Sequence, residues 1–293
     1  MNLLFVGTVE FSRRCFHAVV AAGHDPDLIT MRETEGRQRH GDWVDLTPLA
    51  PGKVYYDVVP TLIRARNYDL ILVCGWSRLL PLDLAPQMVG THPTLLPRGR
   101  GRHPIPWSII LTDGAWSGLT FFRLTETPDA GPIIWQGSRY VEPNDHAAEV
   151  YNKICDLGAS AIREVLRRVA ANIPGTPQDE RQASVWPRRV REDNHVHWDR
   201  ADTVRRLVRA VSRPYPGAWS FLDPLRVEAL GGEVRWWRIG PDDWEDRGLI
   251  APPGTIQSVT KDRLVVATGD GWVAFSEWEW PEGADCRPGM RLL

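Results

Sequence analysis

Residues 3–23 read LLFVGTVEFSRRCFHAVVAAG. Four apolar residues, Leu3 to Val6, stop at Gly7. From Glu10 to Ala22 the apolar residues Phe11, Cys15 and Val19, with Phe16 and Val20 beside them, recur at helical spacing until Gly23. That is a β-strand feeding a helix, and the alternation continues. Leu28 to Met31 predicts a second strand and Thr61 to Arg66 a helix. Leu70 to Cys74 is a continuous apolar run, as expected of a strand buried on both faces. Met88 to Thr91 predicts a strand running into His92, and Pro104 to Leu111 a helix. Ser117 to Leu124 and Ile133 to Tyr140 predict strands, and Ala147 to Ala170 a long amphipathic helix. The polar residues 32–52, rich in Arg, Glu and Gly, read as a long loop. Strands alternating with helices predict an α/β fold, a Rossmann-like, doubly wound, mainly parallel sheet. Ligands bind such sheets beyond the carboxyl ends of the strands. Gly7, Gly75 and His92 all follow strand ends and converge there.

The chain has 293 residues, enough for one large domain or two ordinary ones. Residues 173–194, with Pro174, Pro177 and Pro187, read as a linker. It divides a first domain, 1–172, from a second, 195–293. The second opens with a helix, Ala201 to Val211, and a turn, Arg213-Pro214-Tyr215-Pro216-Gly217. Short strands then follow at Gly254–Ile256, Leu264–Thr268 and Trp272–Ser276, which predicts a small, OB-like β-barrel or sandwich. Tryptophans such as Trp236, Trp237, Trp244, Trp278 and Trp280 either pack that barrel or form platforms for sugars or bases. Core packing is the plainer reading.

The formal net charge of −2 gives no overall attraction to nucleic acid or an anionic membrane. Cys15, Cys74, Cys155 and Cys286 are scattered and form no Cys-x-x-Cys pair, so neither a zinc site nor a redox motif is indicated. Reduced thiols point to a cytoplasmic protein. The N-terminal apolar run is too short for a signal peptide, and no apolar stretch reaches membrane-spanning length.

One string carries candidate chemistry. His92-Pro93-Thr94-Leu95-Leu96-Pro97 is followed by Arg100-Gly101-Arg102-His103-Pro104 and then by Asp129-Ala130-Gly131. A histidine at a strand end and a loop aspartate can form a general acid/base pair, the carboxylate fixing the imidazole tautomer and favouring its charged form. By themselves a histidine before proline is more often structural, and Asp129 suits a turn. Arg100 and Arg102 either hold a phosphate or carboxylate by bidentate bonds or are solvated loop residues. Gly7 and Thr8 follow the first strand without a Gly-x-Gly-x-x-Gly pattern, so a dinucleotide site is not supported.

The whole string resembles the 10-formyltetrahydrofolate-dependent formyltransferases, whose pattern reads Asn-x-His-x-Ser-Leu-Leu-Pro-x-x-Arg-Gly and later Asp-x-Gly. Gly90 stands at the asparagine position. Phe5-Val6-Gly7-Thr8-Val9-Glu10-Phe11 is similar to the start of the methionyl-tRNA and sugar N-formyltransferases. Gly75-Trp76-Ser77-Arg78-Leu79-Leu80-Pro81 is similar to the loop lining the family's folate pocket. Trp198, Arg209-Ala210-Val211 and Pro214-Tyr215-Pro216-Gly217-Ala218 resemble the start of the family's C-terminal domain. Pro253-Gly254-Thr255-Ile256 and Ala267-Thr268-Gly269-Asp270-Gly271 resemble the barrel that closes it.

The resemblance implies an enzyme that moves a formyl group from 10-formyltetrahydrofolate to an acceptor amine, without a metal. It assigns proton transfer to His92 and Asp129. It places the folate at Gly75, Trp76, Ser77, Arg78, Leu79 and Leu80, with Gly7, Thr8, Arg100 and Arg102 toward the acceptor. Trp76 would stack on the pterin or be an ordinary core aromatic. Gly90 leaves the intermediate's oxyanion without the family's amide donor. His103 is the candidate substitute, or it caps the helix from Pro104. Three readings compete for the chain. The first is transfer to a small amine, such as a nucleotide-linked amino sugar or a specialised-metabolite precursor. The second is methionyl-tRNA formylation, and the third a folate-binding regulator or formyl hydrolase. Residues 195–293 hold 13 Lys plus Arg against 15 Asp plus Glu, a poor balance for gripping tRNA. Arg32, Arg37, Arg39, His40 and Lys53 keep tRNA open, but the small acceptor is the first reading.

Overall fold

The computed structural model describes residues 1–293 except 113–115, 224–232, 241–242, 247, 249 and 284–285. Elements run in the order β1 (Leu3–Val6), α1 (Glu10–Ala21), β2 (Asp27–Ile29), α2 (Glu33–Arg39), β3 (Val54–Tyr55), α3 (Pro60–Ala65), β4 (Leu70–Val73), β5 (Gln87–His92), β6 (Arg100–Gly101), α4 (Pro104–Thr112), β7 (Trp116–Arg123), β8 (Ile133–Tyr140) and α5 (Ala147–Ala170). They continue as β9 (Val185–Trp186), α6 (Ala201–Val211), β10 (Ala218–Phe221), β11 (Glu233–Arg238), β12 (Trp244–Asp246), β13 (Ile256–Val259), β14 (Leu264–Ala267), β15 (Gly271–Phe275) and β16 (Glu277–Glu279).

Two compact units result. One comprises Met1–Pro104, Trp116–Arg139 and Tyr151–Pro187, the other Ile105–Ala115, Tyr140–Val150 and Arg188–Leu293. Two internal segments, Ile105–Ala115 and Tyr140–Val150, cluster with the second unit. The stretch expected to be a linker is itself divided: up to Pro187 it belongs to the first unit.

The first unit is built on a seven-stranded sheet of order β3-β2-β1-β4-β5-β7-β8. β3, β2, β1, β4 and β5 are mutually parallel, and β7 returns antiparallel to β5. Alternation along the strands explains their unbroken apolar sequence. Leu3 and Phe5, with Leu70, Leu72 and Val89, face α1 and α5, packing on Phe11, Phe16, Ile162 and Val165. Leu4 and Val6, with Ile71, Val73 and Met88, face the other side, where Ile63 of α3 covers them. Each large apolar side chain so buried contributes about 1.5–3 kcal/mol. Between β1 and β4 the chain reverses its direction of winding, and the ligand-binding end of the sheet is set there.

Residues 32–52 are not a plain loop. They contain α2, held by i,i+4 pairs Arg37–Glu33 at 2.8 Å and Arg39–Glu35 at 2.9 Å. Charge pairing carries this helix rather than apolar periodicity, which is why the apolar pattern misses it.

In the second unit, β10-β11-β16 and β12-β15-β14-β13 form antiparallel sheets. Trp236 is fully buried, 4.2 Å between ring centres from Phe275 and edge-on to Trp198, and Trp237 is buried too, so these two are packed as core, whereas Trp244, Trp278 and Trp280 are only partly buried. The fully buried Arg209 of α6 donates to the carbonyls of Asp145 and Glu142, which offsets the cost of burying its charge. Among the described residues no helix is long and apolar enough to cross a membrane.

Candidate active site

The site grows from the carboxyl ends of β1, β4 and β5. Gly7, at the end of β1, packs against the Cys74 carbonyl and Ser12, and a β-carbon there would fall 2.5 Å from both. Ser12 accepts from the Thr8 and Val9 amides and donates to the Cys74 carbonyl at 2.6 Å, tying the start of α1 to the end of β4. Gly7 and Thr8 are buried in this junction. Close packing accounts for glycine at position 7, while the Thr8 hydroxyl is buried with no hydrogen-bond partner.

His92 ends β5, its side chain buried. Its Nε2 lies 2.7 Å from the Gly99 carbonyl oxygen. A carbonyl only accepts, so Nε2 carries a hydrogen and the neutral ring keeps its lone pair on Nδ1. Nδ1 lies 3.6 Å from Asp129 Oδ1, within ion-pair range and too far for a hydrogen bond. Asp129 has a left-handed backbone (φ +59°), and its Oδ2 accepts from the Gly101 amide at 3.0 Å. Gly101 itself has φ +106°, and a β-carbon there would meet the Trp186 carbonyl oxygen at 2.4 Å, so only glycine fits. The arrangement leaves the Nδ1 lone pair on the side of the Asp129 carboxylate, the position a proton-transfer group would use.

Gly90 lies two residues before His92 on the same face of β5. A β-carbon on it would fall 2.5 Å from Leu124 Cδ2. The space beside position 90 is therefore filled by an apolar branch. Trp76, Leu80 and Leu124 pack on the same apolar cluster as Met88. Of the remaining loop residues, Gly75 has φ +64°, Ser77 pairs with His40 at 3.2 Å, Arg78 pairs with Glu35 of α2 and also lies 5.9 Å from the Trp76 ring centre, and Leu79 is 87% exposed.

Arg100, read from the sequence as an anion ligand, is buried with its guanidinium committed to Gln178 and Glu180. Arg102 is exposed, its amide bonded to the Trp186 carbonyl. His103 stands immediately before α4 with φ +53°. Sequence reasoning missed Leu124, Gln178, Ser184 and Trp186. Leu124 closes position 90, and the other three belong to the presumed linker, whose β9 pairs in parallel with β6. A run of polar residues and prolines gave no sign of that pairing. Among the described residues no cluster of three or more His, Cys, Asp or Glu is gathered to hold a metal.

Comparison with known proteins matches the formyl transferase family model over residues 25–166 and the formyl transferase C-terminal domain model over 189–288. The methionyl-tRNA formyltransferase of Heliobacterium modesticaldum is 31% identical over 296 residues, 94% of this chain and 92% of that protein. The chain belongs to the formyl transferase family and is a formyltransferase. In fold it is similar to HypX from Aquifex aeolicus, solved with tetrahydrofolic acid (TM-score 0.69, 20% identity), covering 96% of this chain but only 44% of HypX. An N-formyltransferase from Helicobacter canadensis, solved with folinic acid and dTDP-3-aminofucose, aligns over 95% of this chain and all of that one (TM-score 0.66, 14% identity).

Proposed function

We propose that the chain transfers the formyl group of 10-formyltetrahydrofolate to the amine of a small acceptor, with His92 as general base and Asp129 as its charge partner. The observation that carries this is the His92–Asp129 pair, with one imidazole nitrogen fixed on a carbonyl and the other facing a carboxylate 3.6 Å away. The neutral acceptor amine attacks the formyl carbon and a tetrahedral oxyanion forms. His92 Nδ1 takes the proton from the attacking nitrogen, and Asp129 stabilises the imidazolium. The same proton then reaches the folate nitrogen as its bond to the formyl carbon breaks. Trp76, Leu80 and Leu124 form an apolar wall suited to a pterin. Gly75, Ser77, Arg78 and Leu79 continue that loop. Position 90 supplies no donor for the oxyanion, and His103, on the loop that also anchors Asp129 through Gly101, takes that role.

A small acceptor is favoured over tRNA by charge. Residues 195–293 carry 13 basic against 15 acidic residues. In residues 32–53 four cations (Arg32, Arg37, Arg39 and Lys53) meet four acids (Glu33, Glu35, Asp42 and Asp45), and Arg37 and Arg39 are paired within α2. Phosphate contacts dominate nucleic-acid affinity, and these arginines are already engaged. The dTDP-amino sugar held by the Helicobacter canadensis neighbour suggests a nucleotide-linked amino sugar. Methionyl-tRNA is the second reading, favoured by the near full-length likeness to the Heliobacterium enzyme. A cytoplasmic setting, where reduced folate is made, suits either. Parallel assays with 10-formyltetrahydrofolate and either dTDP-3-amino sugars or charged initiator methionyl-tRNA test the assignment. Formylation of tRNA alone overturns the small-acceptor reading, and turnover of neither acceptor, with donor hydrolysis instead, points to a formyl hydrolase.

A further inference from the structure

The stretch 174–187 touches the candidate site at several points, and Gln178 joins its two halves. The Gln178 amide nitrogen donates to the carbonyls of Asp129 and Gly131, each at 2.8 Å. Both hydrogens of one NH2 group are thus spent on the turn that presents the Asp129 carboxylate. The Gln178 carbonyl oxygen accepts from Arg100 Nη2 at 2.8 Å and Nε at 3.2 Å. This fixes the orientation of the amide, because reversing it would set NH2 against a guanidinium and oxygen against two carbonyls. Arg100 is held from its far side by Glu180, at 2.7 and 2.9 Å.

The neighbours of Arg100 complete a ring. The Gly99 carbonyl accepts from His92 Nε2, and the Gly101 amide donates to Asp129 Oδ2. The same loop is pinned to the strap by three bonds: Gly99 amide to Ser184 Oγ, Arg100 amide to the Ser184 carbonyl and Arg102 amide to the Trp186 carbonyl. The loop that orients the histidine and the turn that carries the aspartate come from distant parts of the chain, and the Gln178 side chain bonds to both.

We infer that Gln178 is a positioning residue for formyl transfer, setting the distance between His92 and Asp129 by tying the Asp129–Gly131 turn to Arg100. The inference rests on the proposed roles of His92 and Asp129. Gln178 faces the backbone of the turn and the guanidinium, so its loss should alter the chemical step and leave folate binding in place. Displacement of a reacting group by about 1 Å costs on the order of a hundred-fold in rate.

The test compares wild type, His92→Ala, Gln178→Glu and Gln178→Met, using 10-formyltetrahydrofolate and whichever of the two acceptors the wild type formylates. Gln178→Glu keeps the shape and the acceptor for Arg100 but removes both N–H donors. Gln178→Met keeps the length without either function. Both should lower kcat about ten- to a hundred-fold, with the KM for the donor and the calorimetric Kd for 5-formyltetrahydrofolate changed by less than about two-fold. The inference is overturned if either folded variant retains kcat within about two-fold of wild type. It is also overturned if folate affinity falls in step with kcat, since that marks general loss of the site. Loss of the fold in both variants overturns it too, by making Gln178 a folding residue. If His92→Ala retains turnover, the reading of the site itself has failed. If His92→Ala is inactive while the Gln178 variants are not, only the positioning role falls.

Discussion

The chain buries two histidines in opposite ways. His92, in the first unit, donates from Nε2 to the Gly99 carbonyl and turns Nδ1 toward the Asp129 carboxylate. His146, in the second, accepts the Ile239 amide hydrogen on Nε2 at 3.1 Å, with Nδ1 3.1 Å from the Asn144 carbonyl oxygen. Both nitrogens of a neutral His146 ring are satisfied, and a proton on Nε2 would meet another N–H. Burial, with Arg238 and Arg209 nearby, pushes its pKa down to about 4. One ring turns its second nitrogen toward a carboxylate, and the other has both nitrogens occupied in its neutral form. Burial alone therefore does not tell these two histidines apart. What distinguishes them is whether the second nitrogen meets an acceptor or a donor.

The largest effect should come from His92→Ala, which is expected to lower kcat by about 10²–10⁴-fold, with the fold and 5-formyltetrahydrofolate binding retained. Stopped-time formylation assays and calorimetry measure the two separately. Near-normal turnover would break the comparison, as would an equal loss in His146→Gln.

His103→Ala should lower turnover by about 10²–10³-fold with little effect on folate affinity, the loss expected for an oxyanion donor. Unchanged turnover would reduce His103 to a residue that only shapes the start of α4 and leave the oxyanion to backbone amides or water.

His146 gives the thermodynamic side of the contrast. Its folded pKa lies below the usual 6.5, so at mildly acid pH the unfolded chain binds the extra proton. The stability this group confers is complete above about pH 6.5 and is lost as pH falls toward 4, amounting to about 3 kcal/mol. Urea titrations at a series of pH values should show that slope in the wild type and a flatter one in His146→Gln. Equal slopes would remove His146 from the account.

Gly90→Asn sharpens the comparison from the other side of His92. Its β-carbon would lie 2.5 Å from Leu124 Cδ2. The single change should cost about 1–3 kcal/mol through overpacking and should not raise turnover. Pairing it with Leu124→Ala should recover stability relative to Gly90→Asn. A many-fold gain in activity from Gly90→Asn alone would instead mark a decayed site and favour the regulator reading. Thermal melts and initial rates on the single and double variants decide between these.

Periodicity in the sequence marked the strands and helices of the first unit because each large apolar residue has one face to bury. The alternating sides of Leu3–Val6 and the stripe Phe11, Cys15 and Val19 required no partner to be known. The same held for α5 and α6, whose bounds coincide with the stretches read from the sequence. The motif string brought His92, Asp129 and His103 into view, and the family they belong to with them. It could not say what Arg100 does, because an arginine in a glycine-rich loop reads alike whether it meets a ligand or a glutamate eighty residues away. Nor could it show that Val185–Trp186 pair with Arg100–Gly101. Residues 174–187 hold their place by hydrogen bonds to backbone atoms of β6 and the Asp129 turn, and backbone atoms leave no signature in side-chain type. The sequence by itself determined which residues seek burial, which can exchange protons, and the order of strand and helix. Tertiary structure alone decided which nitrogen of His92 is free, what fills the space at Gly90, and that Gln178 stands between the two loops. Hydrogen-bond geometry and close packing depend on the positions of atoms far apart in the chain, and composition or local spacing does not encode those positions.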